Sequence, residues 1–221
     1  MLPIHAVTPF TLLDFPGLPA AVVWCSGCNM RCAYCHNPDI VRGKAGQKTP
    51  PEVLAFLATR RGLLEGVVLS GGEATLWPGL PGFIAQVRAL GFAVKLDTNG
   101  TRPETLRGLL PALDYVALDY KAPPAKYRAT TGHKDFAAFR RSLDILCGAS
   151  VPFEVRTTVH PALLDAGDIA SIVQDLEDAG YCGTYYLQAF QPGPTMRPLP
   201  SAPPFDRAAV PPARGFAVEW R

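Results

Sequence analysis

Short apolar runs alternate with longer amphipathic segments along most of this chain. The runs are rich in Val, Leu and Tyr and nearly continuous in apolar character, which is typical of strands covered on both faces. The six runs lie at residues 20–25, 66–71, 92–100, 114–121, 152–160 and 184–190. Six strands separated by helices predict repeated βα units with right-handed crossovers, and therefore an α/β fold with a parallel sheet. The pattern alone leaves open whether the sheet curls into a partial barrel or stays open and doubly wound.

Three of the intervening segments carry the boundary signals of helices. Residues 49–62 offer Thr49 as N-cap, a proline at the first helical position, Glu52 to complete a capping box and a glycine as the stop. Residues 80–91 also end at a glycine. Residues 165–180 open with acidic side chains, which suit a helix N-terminus, and close at a glycine. These segments are therefore predicted to be helices.

The C-terminal segment differs from the rest of the chain. Residues 192–221 contain prolines too frequent for regular structure, except for a final short strand at 216–220. We expect this tail to lie against the surface and to be in part flexible. With 221 residues, 48% hydrophobic and 18% charged, the chain fits one globular domain with a real core. That domain is predicted to span residues 1–191.

Charge and hydropathy narrow the choice of partners. The net charge of +2 comes from 21 basic and 19 acidic residues without a basic block, which argues against nucleic acid. The first residues lack the charged and apolar regions of a signal peptide, and no apolar run reaches the ~18 residues needed to span a bilayer. We therefore expect a cytoplasmic protein with no membrane partner.

Polar residues gather at the carboxyl ends of the predicted strands. After the second to fifth strands the chain reads SGGE, DTNG, LDYK and RTTVH. Ligands bind at that edge of parallel α/β folds, because the βα loops and the helix N-termini converge there. The pattern thus predicts a single site built from several strand ends.

Four of the six cysteines lie in residues 24–38, WCSGCNMRCAYCHNP. In a reducing compartment, clustered thiols more often hold metal than form disulfides. Cys28, Cys32 and Cys35 have the spacing C-x3-C-x2-C, and thiolates are the ligands of iron–sulfur clusters. A cubane with three protein thiolates keeps one iron open, as a catalytic zinc site keeps a position for substrate. The alternative is that Cys25 closes the site, giving a structural zinc or an electron-transfer cluster, although Cys25 still lies on the apolar strand.

The cysteine motif resembles that of the radical S-adenosylmethionine (SAM) enzymes, with Tyr34 as the aromatic residue before the last cysteine. Over about residues 4–191 the chain is similar to the glycyl-radical-enzyme activating enzymes, above all the anaerobic ribonucleoside-triphosphate reductase activating proteins. The motifs that carry this likeness are, in order, TLLDFPG (11–17), CHNP (35–38), SGGEAT (70–75), VKLDTNG (94–100), YVALDYKAP (115–123) and RTTVHP (156–161). The resemblance implies a partial (βα)6 barrel of the radical SAM type, a [4Fe-4S] cluster, bound SAM and an open mouth that admits a glycine-bearing loop of a partner.

Several residues at the strand ends are candidates for contacts with the cofactor. The Gly-Gly pair before Glu73 lets backbone carbonyls approach the cofactor's amine, although a Gly-Gly pair is also common in a plain tight turn. Lys121 and Arg156 are candidates to neutralise the cofactor carboxylate, with surface salt bridges as the alternative. The expected cofactor-binding residues are Tyr34, Gly71, Gly72, Glu73, Asp97, Thr98, Asn99, Lys121, Arg156 and His160.

The resemblance also implies a monovalent cation beside the cofactor. Its ligands would be Asp97, Thr98, Asp119 and the carbonyl of Ala117. Carboxylates at the ends of adjacent strands repel each other unless a cation or a basic group lies between them. The alternative is that Asp97 caps the next helix and that Asp119 pairs with a lysine. His36 is expected to shape the cluster loop by hydrogen bonding.

The function implied by the resemblance is activation of a partner enzyme. One electron from the reduced cluster cleaves SAM, and the 5'-deoxyadenosyl radical takes a hydrogen atom from a glycine Cα of the partner. The expected partner is a class III ribonucleotide reductase, with flavodoxin or ferredoxin as electron donor. Two alternatives stay open: a radical SAM enzyme acting on a small molecule, such as a deazapurine carboxylate synthase, and a non-catalytic iron–sulfur or zinc module. The short chain favours the activase, because little sequence is left to close a small-substrate pocket.

Overall fold

The structure is a computed structural model that describes residues 2–43 and 47–221. Within these two ranges, the strands are β1 Ile4–Thr11, β2 Ala20–Cys25, β3 Gly66–Gly71, β4 Ala93–Thr98, β5 Tyr115–Asp119, β6 Phe153–Val159, β7 Thr184–Ala189 and β8 Ala217–Trp220. The helices in the same ranges are α1 Pro38–Val41, α2 Pro50–Ala58, α3 Leu80–Ala89, α4 Pro103–Leu109, α5 Pro124–Thr131, α6 Phe136–Cys147 and α7 Ala166–Asp178. Over the part of the chain described, no helix has both the length and the apolar character of a membrane span.

The chain divides into two compact units, which are taken one at a time below. The first unit comprises Met1–Asn29, Asp39–Thr98 and Glu104–Ala117. The second unit comprises Met30–Pro38, Asn99–Pro103 and Leu118–Arg221, and so contains the whole proline-rich tail.

In the first unit, the strands β1, β2, β3 and β4 lie side by side in that order. β2, β3 and β4 are parallel, with Ala20 opposite Gly66 at the start of β2 and β3. Both strands are buried at almost every position, which explains their continuous apolar sequence. β1 pairs antiparallel with β2 and was not predicted, because polar residues and Pro9 interrupt its apolar pattern.

In the second unit, β6, β7 and β8 are parallel and adjacent. β8 confirms the strand predicted at 216–220 and extends the sheet beyond the six predicted strands. Its end is fixed by Arg221, whose guanidinium lies 3.2 Å from the ring centroid of Tyr186 and 3.2 Å from a carboxylate oxygen of buried Glu154. The last residues of the tail are therefore anchored to the sheet by ring stacking and a charge-assisted hydrogen bond.

The three helices predicted from boundary signals are present as α2, α3 and α7. Both halves of the predicted Thr49–Glu52 capping box form at α2. The predicted stop at Gly62 is wrong, because α2 ends at Ala58 and a separate turn follows in which Leu63 and Leu64 both donate to the Arg60 carbonyl. The cap signals thus located the start of α2 better than its end.

Candidate functional site

The turn after β3 presses its backbone against the loop that follows β2, within the first unit. The Gly72 N–H donates to the Cys25 carbonyl and the Glu73 N–H donates to the Gly27 carbonyl, each at 2.8 Å. A Cβ on Gly72 would lie 2.0 Å from the Gly27 oxygen, and Gly71 has a φ of 107°. Two backbones can meet this closely only where side chains are absent. The Gly-Gly pair is therefore needed for this packing of backbone on backbone, and its expected approach to the cofactor's amine stays a prediction.

Glu73 is fully buried and organises the residues around this turn. Its Oε1 accepts hydrogen bonds from the Thr98 hydroxyl at 2.8 Å and the Thr75 N–H at 3.3 Å, and also from the Thr75 hydroxyl. Glu73 thereby caps the short 3-10 turn Ala74–Leu76 that follows. The structure thus brings Glu73 and Thr98, two predicted site residues from neighbouring strand ends, into direct contact.

Asp97 forms a buried ion pair with a residue that the sequence analysis did not select. Lys95 Nζ lies 2.7 Å from Asp97 Oδ1, and the two side chains are only 1% and 11% exposed. The Ser70 hydroxyl donates to Asp97 Oδ2 at 2.9 Å. A lysine in the apolar strand context VKLDT was the available signal, because a buried lysine needs a partner. The basic group that a strand-end carboxylate requires is therefore supplied here by Lys95.

In the second unit, Asp119 lies between two of the predicted basic residues. Arg156 reaches Asp119 Oδ1 from Nε at 3.0 Å and from Nη2 at 2.9 Å, and Lys121 Nζ lies 3.0 Å from Oδ2. Burial by itself would raise the pKa of Asp119, but the charges and hydrogen bonds of Arg156 and Lys121 outweigh it and hold that pKa at about 2. The structure therefore shows the lysine pairing that was the alternative for Asp119, and adds an arginine to it.

The cysteines differ in their surroundings. Cys25 is the last residue of β2, as expected, and is fully buried. Burial, and next the charge of Glu73, raise its pKa to about 12, so its thiol stays protonated. Cys28 belongs to the first unit, and Cys32 and Cys35 belong to the second, where the Cys35 N–H donates to the Cys32 carbonyl at 3.1 Å. All six cysteines lie within the described ranges, and none forms a disulfide.

Cys32 is buried, and the positive charge of Lys121 acts on its thiol. Burial raises the pKa of Cys32, the charge of Lys121 opposes that rise, and the charges of Cys35 and Asp119 add to it, so the pKa of the metal-free thiol is raised. Lys121 Nζ also lies 5.9 Å from the ring centroid of Tyr34, whose buried hydroxyl has no hydrogen-bond partner among the described residues. Thiols, a nearby cation and an orphaned buried hydroxyl fit a thiolate-bound iron–sulfur cluster with a polar cofactor beside it.

Over the described ranges, no group of three or more His, Cys, Asp or Glu side chains is positioned to hold a metal ion. The assignment of Cys28 to the same cluster as Cys32 and Cys35 thus rests on their spacing in the sequence.

Two histidines of the second unit contact the same aromatic ring. The ring of His36 stacks on Phe190 with centroids 5.2 Å apart, and the ring of His160 meets Phe190 edge-on at 4.7 Å. Burial lowers the pKa of His160, which favours its neutral form, and its Nδ1 accepts from the Ala162 N–H at 3.1 Å. Both His160 and Phe190 line a cavity of about 870 Å³ whose other walls come mainly from the tail.

The two remaining predicted residues, Asn99 and Ala117, are both buried. Asn99 is buried, and its Oδ1 accepts from the Thr101 N–H at 3.0 Å and the Thr101 hydroxyl at 2.7 Å. Ala117 is buried within β5. Neither contact tests the cofactor and cation roles expected of these two residues.

Residues 22–176 match the family model of the Radical SAM superfamily. The chain is 32% identical over 200 residues to a Methanocaldococcus jannaschii protein named as a glycyl-radical enzyme activating enzyme, covering 86% of this chain and 80% of that protein. It is 30% identical over 186 residues to the pyruvate formate-lyase-activating enzyme of Clostridium pasteurianum, covering 79% and 77%. The solved structure of native anSMEcpe with bound AdoMet is similar with a TM-score of 0.59 at 20% identity, covering 75% of this chain and 48% of that one. The fold class is confirmed: a sheet of parallel strands in an α/β fold, consistent with a partial barrel.

Proposed function

This chain belongs to the Radical SAM superfamily, among its glycyl-radical enzyme activating enzymes, and from that premise we propose that it forms a glycyl radical on a class III ribonucleotide reductase. The observation that carries the proposal is the likeness to an activating enzyme over 86% of the chain. Membership in the superfamily implies a [4Fe-4S] cluster and SAM. The reductase itself is favoured by the ordered motifs of the sequence. A flavodoxin or ferredoxin is the proposed electron donor.

We assign the cluster to Cys28, Cys32 and Cys35. When bound, the cluster and SAM supply a one-electron cleavage that yields a 5'-deoxyadenosyl radical. Cys25 is the fully buried last residue of β2 and is left out of the proposed ligand set, and three thiolates leave one iron for the cofactor. The rest of the chain contributes positions, charge and exclusion of water.

The cofactor's carboxylate is proposed to meet the cationic group formed by Lys121 and Arg156. Both carry fixed positive charge beside Asp119, and an arginine can bind a carboxylate in bidentate fashion. The Gly72–Glu73 turn is proposed to receive the amine, because Glu73 adds a buried carboxylate to a backbone that approaches closely. Each of the two charged groups at the methionine end of SAM is thus assigned a partner of opposite charge.

We also propose a monovalent cation, with Asp97, Thr98, Asp119 and the carbonyl of Ala117 as its ligands. Lys95 and the Asp119 partners already balance both carboxylates, so a cation would have to join or displace an ion pair. SAM affinity measured by calorimetry in potassium and in tetramethylammonium buffers tests this point. Higher affinity in potassium supports the cation, and equal affinity removes it.

The cavity of about 870 Å³ beside His160 and Phe190 is the proposed entrance for the partner's glycine loop. It lies at the carboxyl ends of β6 and β7, which is the edge where ligands of parallel sheets bind. An action on a small molecule is less well supported, because the 7-carboxy-7-deazaguanine synthase of Methanopyrus kandleri matches 49% of this chain, whereas two activating enzymes match 86% and 79% of it.

The experiment tests both the assignment of the cluster ligands and the formation of the glycyl radical. Anaerobically purified wild-type protein and Cys25→Ser are expected to be brown, whereas Cys32→Ser loses the colour. Mixing wild-type protein with reductant, SAM and the class III reductase of the same organism should give a doublet in electron paramagnetic resonance that collapses when the reductase glycine is deuterated at Cα. A brown protein that cleaves SAM but gives no such doublet would exclude this partner, and loss of colour in Cys25→Ser would exclude the three-thiolate cluster.

A further inference from the structure

The proline-rich tail is hydrogen-bonded to the backbone of the cluster loop, residues 31–36. The Met196 N–H donates to the Cys35 carbonyl at 2.8 Å, and the Arg197 N–H donates to the Ala33 carbonyl at 3.2 Å. One of these carbonyls belongs to a proposed cluster ligand, and the other lies two residues before it. The tail thus contacts the part of the loop that sets the positions of the two sulfurs in this unit.

The opposite edge of the cluster loop is bound by the end of α5. The Arg31 N–H donates to the Thr131 carbonyl at 2.7 Å, and the Ala33 N–H donates to the Thr130 carbonyl at 3.2 Å. The loop is therefore the middle of three segments: its N–H groups bond to α5 and its carbonyls to the tail. A loop without strand or helix of its own depends on such bonds for a fixed geometry.

Side chains strengthen the attachment of the tail. Arg197 Nη2 donates to the Arg31 carbonyl at 2.9 Å, which adds a charge-assisted bond. His36 Nδ1 lies 3.0 Å from the Pro194 carbonyl, where the imidazole acts as donor, and its ring also stacks on Phe190. The expected hydrogen-bonding role of His36 is thus directed at the tail.

We propose that residues 194–197 form a tail clamp that positions Cys32 and Cys35 for the cluster. This inference rests on the proposed assignment of the cluster to these cysteines. The clamp residues act through the loop and touch no reacting atom, so they are positioning residues. Losing such outer contacts of metal ligands typically weakens metal binding 10- to 100-fold. In this proposal, the tail positions the cluster loop in addition to forming β8.

The test compares a variant that lacks one backbone donor of the tail clamp with a matched variant that keeps this donor. Met196→Pro deletes the N–H that bonds to Cys35, and Met196→Ala shortens the side chain but keeps that N–H. The full-length proteins are reconstituted anaerobically with iron and sulfide, and the rate of iron release to ferrozine is followed by absorbance. We expect release from Met196→Pro to be about 10-fold faster than from wild type. Release from Met196→Ala should stay within about twofold of wild type.

A second pair of variants distinguishes loss of the tail clamp from a general loss of folding. Arg197 is exposed, so Arg197→Ala should leave the melting temperature of the metal-free protein unchanged while it speeds iron release, and Arg197→Lys should restore part of the loss. Equal release rates in wild type, Met196→Pro and Arg197→Ala overturn the clamp while the cluster stands. A wild-type protein that takes up no cluster overturns the proposed function, and the clamp with it.

Discussion

The substitution Gly72→Ala tests the closest backbone contact of the candidate site. The added Cβ would lie 2.0 Å from the Gly27 carbonyl oxygen and must move roughly 1 Å to reach even a tight contact of 3.0 Å. That shift breaks the hydrogen bonds from Gly72 to Cys25 and from Glu73 to Gly27, each now 2.8 Å. Each bond contributes about 1 kcal/mol, and overpacking costs about 1–3 kcal/mol. We therefore expect the free energy of unfolding to fall by about 4 kcal/mol.

The assay is urea unfolding of the metal-free protein under anaerobic, reducing conditions, followed by circular dichroism. The matched control is Gly82→Ala in α3, where a Cβ meets no atom within 4 Å. Alanine should stabilise that helix by about 0.5–1 kcal/mol, so the two changes have opposite signs. A free energy of unfolding for Gly72→Ala within about 1 kcal/mol of wild type would refute the claim that this turn has no room for a side chain.

Three further predictions concern charge and burial in the two units. In wild type, the lowered pKa of Asp119, about 2, contributes about 2 kcal/mol to the free energy of unfolding above pH 4, and this contribution is lost as pH falls towards 2. Asp119→Asn should therefore make the free energy of unfolding less dependent on pH in this range, which urea titrations at each pH will show. Lys95→Met removes the cation that pairs with buried Asp97 and should cost about 3–5 kcal/mol in urea unfolding, whereas an unchanged midpoint would show the pair to be dispensable. Tyr34→Phe deletes a buried hydroxyl without a partner and should raise the stability of the metal-free protein by about 1 kcal/mol; if that hydroxyl serves the cofactor, calorimetry will show weaker SAM binding.

The sequence predicted those parts of the fold that depend on local pattern. The five buried strands from β2 to β6 show as apolar runs because both of their faces are covered, and the capping box of α2 is written in two residues three positions apart. β1 is less apolar and half-exposed, so its sequence carried no comparable signal. β8 appears in the sequence only as a short apolar run after many prolines, and nothing in that run indicated that it pairs with β7.

The candidate site was predicted by residue type more completely than by contact. The resemblance indicates Asp97 and Asp119, and Lys121 and Arg156 are indicated because a positive charge at a strand end can neutralise the cofactor carboxylate. Which cation meets which carboxylate depends on side-chain directions at each strand end, so Lys95 was missed. The tail clamp had no sequence signal, because its bonds join backbone groups about 160 residues apart and any residue except proline can donate them.

The transfer of hydrogen from the partner's glycine is the most direct measure of the proposed activity. The class III reductase is prepared with glycine deuterated at Cα, mixed anaerobically with this protein, reductant and SAM, and the 5'-deoxyadenosine is analysed by mass spectrometry. The account predicts one deuterium in the 5'-deoxyadenosine from the deuterated reductase and none from unlabelled reductase. Vigorous SAM cleavage that is independent of the reductase and yields 5'-deoxyadenosine without deuterium would contradict it.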